Sequence, residues 1–215
     1  ESTQNTQTDD GFDSTDFMDV TMKNYDIAAK LYKSKDFFTS LKHFKLAYKT
    51  CDRSSPLFPN ISMNIQCLAG LVASECNNKG NILYQQGKLK GALEKYLTLL
   101  IVCDDDIIKE IGDCENFAAP MHVAVYSYNT AGLLIKFANP DAAIYFYRKA
   151  LNAYKSLDDF KEVKQIYSHL ALSYQCIGKH AESRACKLAS TTYSAQTKSK
   201  FDKADDALLE EPVDP

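Results

Sequence analysis

Four segments of this chain carry the same arrangement, a pair of small residues twelve positions apart on either side of a polar turn. The pairs are Ala28 and Ser40, Gly80 and Ala92, Ala131 and Ala143, and Ala171 and Ser183. Two antiparallel helices joined by a short turn approach closely only where the facing residues are small, so this spacing predicts four helical hairpins. The turns between the pairs read Lys35-Asp36, Gly87-Lys88, Asn139-Pro140 and Gly178-Lys179. Glycine suits the positive φ of a helix end, and proline suits the first turn of the helix that follows.

Larger residues recur at fixed offsets from the small ones. Leu31, Leu83, Leu134 and Tyr174 stand three past the first small residue; Phe44, Tyr96, Tyr147 and Lys187 stand four past the second. Small, large, turn, small, aromatic: across residues 20 to 195 this order resembles the tetratricopeptide repeat, and Gly80 to Leu99 is the best copy. The resemblance implies an all-α fold, a right-handed superhelical stack of about four antiparallel hairpins. The copies depart from the family in spacing, since their first small residues, at 28, 80, 131 and 171, lie 52, 51 and 40 apart where the family repeats at about 34. The extra length is expected in a loop from Ser54 to Asn60, in the acidic connection from Asp104 to Pro120, and in a long helix from Ser62 to Gln86. The last two hairpins look like the longer repeats of kinesin-light-chain and related adaptors.

The ends read differently. Residues 1–19 are polar, with Phe12, Phe17 and Met18 as apolar exceptions, and are expected to form a flexible tail because so little apolar surface cannot offset ordering. Residues 20–199 form the repeat domain, and residues 200–215 an acidic tail or a short capping helix.

Charge and composition narrow the partner. The 28 acidic and 25 basic residues leave a formal charge of −3 without long blocks of one sign in the repeats, which argues against nucleic acid or an anionic membrane as partner. No apolar run is long enough to insert in a membrane, and the opening residues lack the basic, apolar, small-residue order of a signal peptide. Seven cysteines, an odd number with no close C-x-x-C pair, read as reduced thiols of a cytoplasmic or nuclear protein. No catalytic residues, metal site or cofactor are expected: the four histidines are scattered and no nucleotide-binding or nucleophile-elbow fingerprint occurs. Asp104-Asp105-Asp106 reads as the solvated start of a connecting helix.

The resemblance implies that the first helix of each hairpin lines a concave groove. The residues it places there are Asn77, Asn81, Tyr84 and Gln85 in the second repeat, Tyr128, Asn129 and Lys136 in the third, and Gln165 and His169 in the fourth. Asparagine offers one donor and one acceptor to an extended peptide backbone. In chaperone-binding members of the family, basic residues and asparagines clamp a terminal carboxylate. Asn81 and Asn129 fall on the clamp asparagines, but the basic positions fall on Asn77, Gln165 and His169, which weakens the case for a chaperone C-terminal tail. Most of the other tyrosines and phenylalanines, Phe44, Tyr96, Phe146 and Tyr147 among them, fall at helical core spacing and are expected in the core.

The expected function is therefore a protein-binding adaptor or scaffold that holds a partner protein or peptide segment. Two alternatives stand beside it: a structural subunit packing through loops and edges, and a regulatory domain of a larger enzyme.

Overall fold

The computed structural model describes residues 14–112 and 118–192, and among these every regular element is an α-helix. The helices are α1 (Ser14–Lys33), α2 (Phe37–Thr50), α3 (Phe58–Gln85), α4 (Leu89–Cys103), α5 (Asp106–Ile111), α6 (Ala119–Lys136), α7 (Pro140–Ser156), α8 (Phe160–Cys176) and α9 (His180–Thr192). Four hairpins result: α1 with α2, α3 with α4, α6 with α7, and α8 with α9. No described helix is long and apolar enough to cross a membrane.

The small pairs hold the hairpins together as their spacing requires. All eight residues are buried. Contact is close enough that Ser40 Oγ donates to the Ala28 carbonyl at 2.8 Å, and Ser183 Oγ does the same to Ala171, also at 2.8 Å. A Cβ on Gly80 would lie 2.6 Å from Cε1 of Tyr96, so glycine is required there by the partner helix.

Each hairpin turn is built alike. The second residue after the first helix has positive φ: 62° at Lys35, 72° at Gly87, 54° at Ala138 and 76° at Gly178. The next amide then reaches back to the carbonyl of Leu31, Leu83, Leu134 or Tyr174, closing the helix end by the Schellman pattern. Asp36 and Asn139 cap the second helices with their side chains, and Pro140 opens α7.

The chain divides into two compact units, residues up to Leu71 and residues from Val72 onward, with the division inside α3. The 28 residues of α3 are thus shared between the two units. In the first unit, Leu41, Phe44, Ala47 and Tyr48 of α2 are buried with Ile61, Ile65 and Leu68 of α3, and Tyr25 meets Phe44 edge-on at 5.3 Å. In the second, α7 and α8 centre a cluster of Ile144, Tyr147, Leu151, Tyr154, Val163, Ile166, Tyr167 and Leu170. Lys149 of α7 pairs with Asp104 at the end of α4.

Several expectations on boundaries shift. Residues 14–19, assigned to the tail, are the first turns of α1. The loop expected from Ser54 to Asn60 ends at Leu57, because Pro59 fits within the first turn of α3, where no amide donor is needed. Asp105 caps the short α5, so the acidic run does start a connecting helix. The tail assignments for residues 1–13 and 200–215 lie outside the described residues, as do 113–117 and 193–199.

A candidate partner-binding face on the second unit

The second part of α3, with α6 and α8, supplies the first helices of the last three hairpins. On α6 the buried positions are Ala124, Tyr126, Ser127, Thr130, Ala131 and Leu133. The opposite side of the same helix therefore presents Met121, Tyr128, Asn129, Gly132 and Lys136, none of them fully buried. Val163, Ile166, Tyr167 and Leu170 likewise turn Gln165, His169 and Leu172 outward on α8.

Two side-chain ties run between first helices. Lys136 Nζ donates to Tyr84 Oη at 2.9 Å and sits 4.7 Å from the ring centroid, joining α6 to α3. Gln165 Nε2 donates to Tyr128 Oη at 2.8 Å, and that hydroxyl lies 3.0 Å from His169 Nε2, joining α8 to α6. If Gln165 is the donor, the Tyr128 proton goes to His169, which then accepts as a neutral imidazole carrying its proton on Nδ1. Burial also pushes the His169 pKa below its ordinary value, which favours that neutral ring. The ring stacks on Tyr147 at 5.4 Å and 9° from parallel.

A third tie lies within the second hairpin. Asn81 Nδ2 donates to Asn77 Oδ1 at 2.7 Å, while Oδ1 of Asn81 accepts from the hydroxyl of Tyr96 at 2.8 Å. Tyr96 is buried, and burial raises its pKa.

These ties sort the nine expected site residues. Tyr84, Gln85, Lys136 and Gln165 are exposed, and Asn129 is half-buried. Gln85 and Asn129 make no side-chain hydrogen bond within the described residues. Lys136 has no carboxylate partner there. Asn77 and Asn81 are at the surface but bonded to each other, and Asn81 is occupied in satisfying Tyr96. Tyr128 and His169 are half-buried and pack on Tyr147, so both belong partly to the core. The part played by Tyr96 and Tyr147 behind this face was not read from the sequence. The signal was present in their place four past Ala92 and Ala143, on the helix facing the site.

No protein-family model and no curated protein matches the chain. Among solved structures, it is similar to "Crystal structure of MamA protein" at 16% identity and a TM-score of 0.30, over 91% of this chain and 98% of that one. It is also similar to "Crystal structure of BtubC (BKLC) from P. vanneervenii" at 12% identity and a TM-score of 0.31, over 94% of this chain and 93% of that one. At these scores neither likeness carries an argument about this chain.

Proposed function

We propose that this chain is a non-catalytic, protein-binding adaptor of the tetratricopeptide kind, and that the first-helix face of its second unit holds a segment of a partner protein. The observation that carries this reading is a contrast on one face. Lys136 with Tyr84, and Gln165 with Tyr128, tie the first helices to one another, while Gln85 and Asn129 keep hydrogen-bonding capacity that nothing else among the described residues uses and Lys136 has no carboxylate partner there. A face held in place by its own ties needs little ordering on binding, which lowers the cost of association.

The test compares affinity capture from cell extract by the wild-type chain and by an Asn129→Ala, Lys136→Ala variant, whose side chains satisfy no buried group. A partner held through this face should bind the variant more weakly by over about 1 kcal/mol. Equal capture by both proteins would show that the partner is not held through this face.

A second reading, a structural subunit of a larger assembly, draws on Ile101 of α4 and Leu188 of α9, which are 67% and 66% exposed. Covering such side chains with another chain would remove their apolar surface from water. Loss of a partner on Ile101→Ser or Leu188→Ser, with the first-helix variant unaffected, would support it.

A further inference from the structure

Most serine and threonine side chains buried among the described residues are satisfied by the protein itself. Ser40 and Ser183 bond a carbonyl across their hairpins, Ser190 bonds the Lys164 carbonyl, and Thr21 and Ser173 bond the carbonyls of Phe17 and His169 one turn back. Ser127 and Thr130 of α6 are the exceptions. Both are fully buried, and neither hydroxyl has a hydrogen-bond partner. A hydroxyl taken out of water without a partner is costly, and native folds rarely leave one so.

The two hydroxyls belong to one place. Residues three apart on a helix face the same way, with Cβ atoms about 5–6 Å from each other. A single water at ordinary bond lengths of about 2.8 Å reaches both. Its remaining bonding capacity is met by α6 itself, since the carbonyls of Val123 and Tyr126, four residues before Ser127 and Thr130, each keep a second lone pair.

Room for that water follows from the repeat. Four and one before the small residue of α8 stand Tyr167 and Leu170, both buried in the core cluster. The same offsets from Ala131 on α6 hold Ser127 and Thr130. Two short side chains give up volume that a tyrosine and a leucine fill, and a polar space of that kind takes water where an apolar one stays dry.

We infer that Ser127 and Thr130 form a binding site for one structural water inside the second unit. The water bridges their hydroxyls and completes its bonds on an α6 carbonyl. Directed hydrogen bonds then hold α6 against α4 and α7 at positions where α8 uses apolar contact.

Thr130→Val keeps the shape of the side chain and removes its hydroxyl, so the sign of its effect is the test. With the water in place, valine leaves it one bond short, and the folding equilibrium constant from urea unfolding should fall about fivefold or more. Ser127→Ala should act the same way. The double variant should lose less than the product of the two single losses, because one water serves both hydroxyls. Orphaned hydroxyls require the reverse, a valine variant more stable than wild type. Magnetic relaxation dispersion of water oxygen, which detects waters held for longer than about a nanosecond, reads the site independently of stability. The wild-type chain is expected to hold one more such water than the folded double variant. A more stable Thr130→Val protein, or an equal number of long-lived waters in the two chains, would overturn the inference.

Discussion

At the scale of single residues, neighbouring asparagines of similar appearance have different tasks. Asn81 accepts the hydroxyl of buried Tyr96, whereas Asn129 has no partner among the described residues. Asn81→Ala strands a buried hydroxyl and should cost about 1–3 kcal/mol in urea unfolding, while Asn129→Ala should lie within about 0.5 kcal/mol of wild type. A binding assay that uses Asn81→Ala would therefore confuse stability with recognition. His169 makes a further prediction through pH. Its pKa is lowered by burial in the folded chain, so the unfolded chain binds the proton more readily. Stability should be at its full value above the ordinary histidine range, about pH 6.5, and fall as pH drops through it towards the lowered folded value. His169→Gln should flatten that part of a stability-against-pH curve measured by chemical unfolding.

At the scale of the helical hairpin, contact and turn geometry were largely legible before the structure, because both are local. The small pairs read from the sequence are the buried contacts, and Ser40 and Ser183 add hydrogen bonds to the facing helix that a twelve-residue spacing alone does not reveal. Gly80→Ala should destabilise by about 1–3 kcal/mol, since Tyr96 must move. Where the turn lacks glycine the opposite change should help. Ala138 and Asp158 hold φ of 54° and 57°, a region costly for any residue with a Cβ, and Ala138→Gly should raise stability by about 1 kcal/mol in thermal unfolding. Helix starts were less legible: Pro59 reads as a breaker in sequence but sits in the first turn of α3, and polar residues 14–19 join α1. In both places the local signal leaves the boundary open by a turn.

At the scale of the whole chain, sequence periodicity gave no sign that α3 serves two compact units, because a continuous helix looks the same whichever core each of its turns joins. The face on the second unit was legible in outline, through its offsets from the small residues, but availability was not. Which amide is free and which is bonded depends on Tyr96, Tyr147 and Gln165, residues brought there by packing across helices. A partner seated on that face can be trapped in place. The most direct measurement places a photo-cross-linking amino acid singly at Gln85 and at Asn129, and for comparison at Ile101 and at Leu188, and identifies the adducts formed in cell extract by mass spectrometry. One shared partner protein is expected to cross-link from Gln85 and Asn129 and to be absent from Ile101 and Leu188. Adducts confined to Ile101 or Leu188 would contradict it and move the binding surface to the other side of the hairpins.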